Sequence, residues 1–554
     1  MTANDVNALA DELLDAMFTA EPISATLFGI PGHDHRLPDP SEEGDRAHRD
    51  RMADIADRAA VIDPSTLDPG TAVTRAVVEQ HARATLLELD ARLVEYTISG
   101  LFISPPGHLI TALPMIALPD AERGQAYIAR LSAIPDYLTA VAERHRAGVA
   151  AGRLPVRRLV DSAVALIDRY LSNPDTDPFL RQQIHGELAA ERERVVAERV
   201  RPAFAAYRAV LADEIVQHGR ADDRPGVCWL PDGEAIYAGL STVHTTTGRT
   251  PENLHQTGLD LIAALAEEYA EIGSRVFGLT DQQEIFRRMT SDPALRWTDG
   301  DELLAAAMDT VRRAEEAAPR WFGRLPSQPC KVDAVPAAEA PTAPTAYYMM
   351  PAMDGSRPGI YFANTHEADK RDRFLSEVIA FHEAVPGHHF QLSLAQELTH
   401  LPLLRRLSPV NAYAEGWGLY TERLADEMGL YSGDLDRLGM LAMDSLRAGR
   451  LVVDTGIHAK GWSRQQAVDY LRTNTPVATL EIENEVDRYI AYIGQALSYM
   501  VGRLELQRMR TDAKVRLGDR FDIRAFHDVV LGGGSLPLNV LDGVLSAWDG
   551  SPPS

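Results

Sequence analysis

Cysteine is scarce in this sequence, because Cys228 and Cys330 are the only two among 554 residues. They lie far apart along the chain and fit neither a metal-binding nor a redox spacing. A small disulfide-stabilised scaffold is therefore excluded. The low thiol content is typical of a protein from a reducing compartment.

Long hydrophobic runs are also missing. No stretch approaches the ~20 consecutive apolar residues that a membrane-spanning helix needs. Residues 1–12 are polar and acidic, without the basic start and apolar segment of a secretory signal. We therefore expect a cytoplasmic protein that has no membrane partner.

Basic residues are outnumbered by acidic ones, 55 against 80, which gives a net charge of −25. Such a surface repels phosphate backbones and anionic lipids, so we expect neither nucleic acid nor membrane as a partner. The apolar fraction of 45% and the charged fraction of 24% are those of an ordinary globular protein. Wholesale disorder is therefore excluded, because this composition can bury a sizeable core.

Most of the sequence shows the apolar periodicity of amphipathic helices. Pro135 and Pro202 are expected to kink or split two of these helices. Proline-rich segments at 30–43, 101–118 and 334–345 are expected to be irregular. The clearest helical patterns cover residues 6–18, 74–93, 122–147, 159–171, 178–216, 257–276 and 301–317.

One region departs from the helical pattern. Residues 346–351 and 360–363 are rich in aromatic and apolar side chains, and the turn-forming segment 354–359 separates them. This order predicts a β-hairpin, which is marginal alone and must pack on helices or join other short strands. It could form one wall of a cleft, or it could be a surface hairpin without a role.

The segment with the clearest chemistry is 377–391, in which His382 and Glu383 begin like the zinc motif H-E-x-x-H. Pro386 stands where the second histidine is expected, and His388 follows two positions later. Because Pro386 cannot donate to the carbonyl of His382, and Gly387 permits unusual torsions, we expect a two-residue bulge in the helix. The bulge would return His388 to the ligand position and turn His389 away.

A third candidate ligand lies in the segment 411–420, where Glu415 is followed by Gly416 and Gly418. Two glycines weaken a helix by roughly 1 kcal/mol each, which makes sense if another element or a metal site approaches the backbone closely. Two histidines and one carboxylate leave a fourth position open, as in catalytic zinc sites. The alternative is that the histidines are only capping and core groups at a helix kink.

The two motifs, H-E-x-x-P-G-H-H and Y-x-E-G-W-x-x-Y, resemble the bacterial family called domain of unknown function 885. The resemblance spans nearly the whole chain, and it implies a fold similar to the Taq-type metallocarboxypeptidases, mostly helical with a central groove. It also implies a zinc site of the peptidase type. Further segments that look like this family are 22–26, 354–359, 453–458 and 494–499.

These motifs suggest a role for each residue. His382, His388 and Glu415 would hold zinc, and Glu383 would act as the general base. The other ring nitrogen of each ligand histidine needs a hydrogen-bond acceptor. Glu422 is a candidate for this role, and the alternative is that it is a solvated acid. The expected donors to a developing oxyanion are His458, which Asp454 could orient, and Tyr499. Arg488 and Arg503 are either anchors for a substrate carboxylate or members of ion pairs.

We therefore predict a mainly α-helical, metallopeptidase-like fold with a central groove and a small β element beside it. Residues 1–554 would form one catalytic unit, in which residues 1 to about 220 are an N-terminal helical part and the remainder carries the motifs. The predicted function is zinc-dependent hydrolysis of amide bonds, carboxypeptidase-like, on short peptides, by a monomer or homodimer. An amidase or deacylase with a non-peptide substrate, or an inactive peptide-binding protein, are the alternatives.

Overall fold

Helices form most of the protein in the computed structural model, which describes residues 3–337, 340–341, 343–352 and 357–552. The prediction of a mainly α-helical fold is confirmed. The helices are α1 (Ala3–Ala20), α2 (Pro22–Leu27), α3 (Glu42–Ala60), α4 (Pro69–Ala91), α5 (Pro105–Ala112), α6 (Ala121–Ser132), α7 (Ile134–Ala150), α8 (Arg157–Ser172), α9 (Gly186–Val195), α10 (Arg201–Ala209), α11 (Gly233–Thr245), α12 (Pro251–Phe277), α13 (Gln282–Ser291), α14 (Gly300–Ala317), α15 (Ser376–Glu383), α16 (His388–Glu397), α17 (Leu403–Leu407), α18 (Asn411–Glu427), α19 (Asp434–His458), α20 (Arg464–Asn474), α21 (Thr479–Ala491), α22 (Ser498–Leu517), α23 (Ile523–Gly532) and α24 (Leu538–Ala547).

A small sheet interrupts the helical chain between α14 and α15. Its strands are β1 (Lys331–Ala334), β2 (Ala346–Met349) and β3 (Ile360–Ala363), in the order β1-β3-β2. β2 and β3 are antiparallel, with Tyr348 opposite Tyr361, which confirms the predicted hairpin. Residues 354–356 of the predicted turn lie outside the described residues. β1, which we did not predict, pairs with β3 in parallel.

Proline shapes several helix boundaries. α6 ends at Ser132 and α7 begins at Ile134, so the predicted split at Pro135 is confirmed. Near Pro202, a π-helical turn at Val196–Val200 precedes α10 directly, and regular helix begins only at Gly186 rather than near residue 178. The expectation of an irregular segment at 101–118 is wrong in part, because Pro105 and Pro106 occupy the first turn of α5, where proline lacks no needed hydrogen bond.

The core joins distant parts of the chain. One buried apolar cluster contains residues from Leu9 to Trp548, and a second contains residues from Ile23 to Ile215. The first helices thus share a core with the last ones, and the division near residue 220 stays a prediction. Among the described residues, no helix is long and apolar enough to cross a membrane.

Two helices that matter for the site, α18 and α22, touch at glycines. A Cβ atom added to Gly416 would lie only 2.4 Å from the Cα atom of Gly502. Any larger residue at Gly416 would force the two helices apart. This close approach explains one of the two glycines after Glu415 and brings the start of α22 beside the start of α18.

Candidate metal centre

The chain between His382 and His388 changes direction sharply. α15 ends at Glu383 and α16 begins at His388, with a cis peptide bond between Val385 and Pro386. The predicted bulge in one helix is therefore wrong in form, because the segment is a break between two helices. Gly387 is required in the break, since a Cβ atom there would lie 1.8 Å from the carbonyl oxygen of His382.

A tryptophan from the second motif holds this break in place. The indole Nε1–H of Trp417 donates to the carbonyl oxygens of Pro386 and Gly387, at 3.0 and 3.2 Å. Trp417 is fully buried. It satisfies the carbonyl group of Pro386 inside the break and adds a second donor to that of Gly387, which already accepts from the backbone N–H of Gln391 in α16. This contact explains why the proline–glycine step and the E-G-W motif occur together.

The break brings the three predicted ligands together. His382 Nε2 and His388 Nε2 lie 3.4 and 3.7 Å from Glu415 Oε2, and the three ligand atoms are all within 4.8 Å of one another. In a tetrahedral zinc site with metal–ligand distances of about 2.1 Å, ligand atoms are about 3.4 Å apart. The donor set therefore fits one zinc ion in both chemistry and spacing.

Glu422 lies behind the first histidine. His382 Nδ1 donates to Glu422 Oε1 at 2.8 Å, which confirms the expected contact and leaves Nε2 for the metal side. Burial opposes protonation of His382, but hydrogen bonds to Glu415 and Glu422 raise its pKa to about 10. Burial likewise opposes ionisation of Glu415, yet its hydrogen bonds to His382 and His388 hold its pKa well below the ordinary value. The carboxylates of Glu415 and Glu422, together with that of Glu383, thus favour a cation at the centre.

The lack of a side chain at Gly418 leaves space for the imidazole ring of His382. A Cβ atom at this position would lie 2.6 Å from Cε1 and 2.7 Å from Nε2 of the His382 ring. We expect Gly418→Ala to push the ring away from Glu415 and Glu422 and to lower zinc affinity on the order of 10- to 100-fold. Competition with a chromophoric chelator measures this. Gly543→Ala, where a new Cβ meets nothing within 4 Å, is the matched control. Unchanged affinity in Gly418→Ala would mean that this contact does not position the ligand.

Glu383, the predicted general base, ends α15 beside the sheet. Its Oε2 accepts a hydrogen bond from the backbone N–H of Tyr348 in β2, at 3.1 Å. Its negative charge also contributes to the raised pKa of His382, so it lies close to the centre. The hairpin thus has a structural part in the site, because β2 orients this carboxylate. We did not predict the contribution of Tyr348.

His389 points away from the three ligands, as predicted. Its Nε2–H donates to the carbonyl oxygen of Gln328, at 3.1 Å, and its Nδ1 accepts from the Tyr348 hydroxyl, at 2.9 Å. Burial lowers the pKa of His389 to about 4, which keeps the ring neutral and suits these roles. Both ring nitrogens are engaged, so His389 fastens α16 to the hairpin.

Tyr499, one of the two predicted oxyanion donors, lies near the centre. Burial and the negative charge of Glu415 both raise the pKa of its hydroxyl. The guanidinium of Arg450 lies over its ring, with Cζ 4.5 Å from the ring centroid. The hydroxyl is therefore protonated at neutral pH and able to donate.

The structure does not bring His458 to this centre, and the prediction that it stabilises an oxyanion is wrong. Its ring is fully buried. Its Nδ1 accepts from the backbone N–H of Val227, and its Nε2 donates to the carbonyl oxygen of Tyr489. Asp454 does not orient it but accepts from the Tyr237 hydroxyl at 2.6 Å. The segment 453–458 therefore connects the end of α19 with α11, with α21 and with the turn at Val227.

The two arginines that we considered as anchors for a substrate carboxylate bind side chains of the protein itself. Arg488 donates to Glu485 and Gln495, and Arg503 forms an ion pair with Asp444. Their interpretation as members of ion pairs is therefore the one that fits.

The open side of the centre lies at His388 and Glu415. The side chain of Glu422 is 0% exposed and that of His382 is 6% exposed, whereas those of His388 and Glu415 are 14% and 24% exposed. A ligand would therefore approach over His388 and Glu415. The three side chains that would hold a metal are thus accessible to water from this side, as a catalytic zinc site would require.

Comparison with known proteins gives a family but no activity. The chain is similar to a solved structure described as a "putative lipoprotein" from Colwellia psychrerythraea, with 28% identity, 99% of both chains covered and a TM-score of 0.89. A protein from Shewanella oneidensis, described as a "putative lipoprotein of unknown function", shares the fold at 18% identity, with 97% of this chain and 99% of that chain covered and a TM-score of 0.77. A search of curated proteins found no match. A family model matches residues 22–545, and the chain thus belongs to the bacterial proteins of unknown function called DUF885.

Proposed function

We propose that this protein is a zinc-dependent hydrolase of amide bonds that acts on short peptides. The observation that carries the proposal is the convergence of His382, His388 and Glu415, whose ligand atoms lie within 4.8 Å of one another. Glu383, adjacent in sequence to the first ligand, supplies a carboxylate that a purely structural metal site does not need. Structural zinc sites also use four protein ligands, whereas this set has three.

Zinc, when bound, would make a water molecule more acidic and polarise the carbonyl of the scissile bond. Glu383 then accepts a proton from the attacking water and delivers it to the nitrogen of the leaving amine. The N–H of Tyr348 holds one oxygen of this carboxylate, at 3.1 Å, and fixes its direction. Glu422 holds His382 by its other nitrogen, so that the ligand ring does not rotate during the reaction.

Tyr499 supplies the second stabilising group for the developing negative charge. Its pKa is raised by burial and by Glu415, so the hydroxyl keeps its proton and can donate to the oxyanion. Hydroxyl donation adds to the positive charge of the metal without a proton leaving the tyrosine. Of the two oxyanion donors that we predicted, only Tyr499 remains in the proposal.

A resemblance to the Taq-type metallocarboxypeptidases is part of the proposal. It is supported by the mostly helical body, by the small sheet beside the centre and by the H-E pair at the end of a helix. Such a fold has a groove that admits extended chains rather than folded proteins. Short peptides are therefore the proposed substrate class.

Purified protein should contain zinc and cleave short peptides, and a chelator should abolish the cleavage, which zinc then restores. Zinc content is measured by elemental analysis, and cleavage by mass spectrometry of a peptide mixture beside a panel of N-acyl amines. Cleavage of the N-acyl amines alone would point to an amidase or deacylase. Zinc and peptide binding without turnover would point to a binding protein. A purified protein that binds no zinc would contradict the proposal of a zinc-dependent hydrolase.

A further inference from the structure

Arg447 in α19 is a buried cation with almost no partner. The residue is 7% exposed, and its Nε is buried without a hydrogen bond. Within the described residues, its one hydrogen bond runs from Nη1 to the sulfur of Met443, at 3.1 Å. Thioether sulfur is a weak acceptor, so this contact does little to offset the burial of a positive charge.

The other buried arginines in the described parts of the chain all donate to oxygen. Arg130 donates to three carbonyl groups and to Thr26, for example, and Arg450 donates to Glu485 and the hydroxyl of Tyr489. A buried guanidinium without such acceptors is costly, because burial removes water without replacing it. The arginines with oxygen acceptors are Arg130, Arg144, Arg192, Arg405, Arg450, Arg464, Arg503 and Arg510.

Two of the carboxylates near Arg447 already form ion pairs with other arginines. Asp444, one turn earlier in α19, pairs with Arg423 and Arg503. Glu485 in α21 accepts from Arg450 and Arg488. Burial raises the pKa of Glu481, also in α21, and the charge of Arg447 opposes that rise, but the two side chains form no ion pair among the described residues. The guanidinium of Arg447 is therefore left without a carboxylate of the described residues within hydrogen-bond distance.

The position of Arg447 connects it with the metal centre. Its Cζ lies 5.8 Å from the ring centroid of Tyr499, on the same ring that Arg450 contacts. Tyr499 lies one turn before Gly502 in α22, where that helix touches α18 at Gly416, the residue after Glu415. The charge of Glu415 accordingly raises the pKa of Tyr499. One aromatic ring thus connects an unpaired cation with a metal ligand.

We propose that Arg447 binds the C-terminal carboxylate of a peptide substrate, and that the protein is an exopeptidase acting at the free C-terminus. The planar guanidinium matches a carboxylate in shape and charge and can bind it through two parallel hydrogen bonds. Among peptide groups, only the C-terminus offers a carboxylate regardless of sequence. Arg450 adds positive charge and holds Tyr499 against the site.

The inference rests on the proposed hydrolase function and specifies its substrate class. Water adds to the carbonyl carbon of a peptide bond near the C-terminus, the C–N bond breaks, and Glu383 transfers the proton to the departing amine. The products are a shortened peptide with a new carboxylate and the released C-terminal fragment. The carboxylate bound by Arg447 does not react but fixes which bond reaches the centre.

The test compares N-acetyl-tetraalanine as the free acid and as the C-terminal amide, with the zinc-loaded protein. We expect cleavage of the acid with a kcat/KM at least about 10-fold above that of the amide. Arg447→Met should lower kcat/KM for the acid on the order of 10- to 100-fold and leave the amide unchanged. Arg447→Lys should restore part of the loss, because it returns the charge without the planar fork.

Arg464→Met is the matched control, since Arg464 is an equally buried arginine whose partner is Asp487. It should not change the ratio of acid to amide cleavage. Equal cleavage of both peptides by the parent protein would overturn the exopeptidase inference and leave the hydrolase intact. Cleavage of neither peptide would contradict the proposed function. Calorimetry of Glu383→Gln then tests Arg447 separately, because the acid should bind, the amide should not, and Arg447→Met should remove the difference.

Discussion

Glu383→Gln should abolish most of the hydrolysis while the protein keeps its zinc. The glutamine has nearly the same shape, and its carbonyl oxygen can still accept the hydrogen bond from Tyr348 that the carboxylate accepts now. It cannot take a proton from water, however. Loss of a general base typically costs on the order of 10²–10⁴ in rate. We therefore expect a fall of that size in kcat with zinc content and KM little changed.

Steady-state kinetics and elemental analysis of the same preparation check this expectation. Glu271→Gln removes the same charge from an exposed side chain in α12, which is 74% exposed, and should behave like the parent protein. A Glu383→Gln protein with parental kcat would contradict the mechanism, even if zinc were present. A protein that lost both zinc and activity would assign Glu383 to the metal rather than to proton transfer.

Periodicity and motif chemistry were enough to predict the mainly helical architecture and the convergence of His382, His388 and Glu415. Apolar residues at helical spacing predicted the long helices, and two short aromatic and apolar segments on either side of a turn-forming segment predicted the β2–β3 hairpin. The proposed ligand set followed from the residue types, because two histidines and one carboxylate are the donors of catalytic zinc sites. Gly418 meets the His382 ring and Gly416 meets Gly502, as the requirement for close approach suggested.

The supporting contacts were harder to predict because they join residues that are distant in sequence. His458 was a candidate because it lies in a segment that resembles the family, but the sequence does not reveal that the backbone groups of Val227 and Tyr489 occupy both its ring nitrogens. The N–H of Tyr348 that orients Glu383 belongs to the backbone, which any residue type provides. Arg447 looks like any other arginine until its neighbours are known.

The form of the helix break shows the same limit. Pro386 and Gly387 indicated that the helix could not continue, but steric reasoning alone did not distinguish a bulge from two separate helices. The decisive contact comes from Trp417, which donates to both carbonyl groups of the break. The proline and the tryptophan lie in different motifs, and only the packing of α18 against the break brings them together.

His388 and His389 are neighbours in sequence with opposite roles, and their alanine variants should separate the two. His388 Nε2 lies 3.7 Å from Glu415 Oε2, on the metal side of the centre. His389 contacts Gln328, Tyr348 and Ser393 instead. His388→Ala removes one of the three proposed ligands and should leave the protein without zinc after dialysis.

His389→Ala should keep the zinc, because neither of its ring nitrogens faces the ligands. It should instead lower the free energy of unfolding by about 1–3 kcal/mol, since the partly buried Tyr348 hydroxyl and Gln328 carbonyl each lose a hydrogen-bond partner. Elemental analysis of zinc beside thermal unfolding of the metal-free proteins measures both effects on one matched pair. The reverse outcome, with zinc lost only in His389→Ala, would mean that the second histidine of the pair is the ligand. Full zinc in both variants would remove both histidines from the ligand set, and the site would then need another donor beside His382 and Glu415.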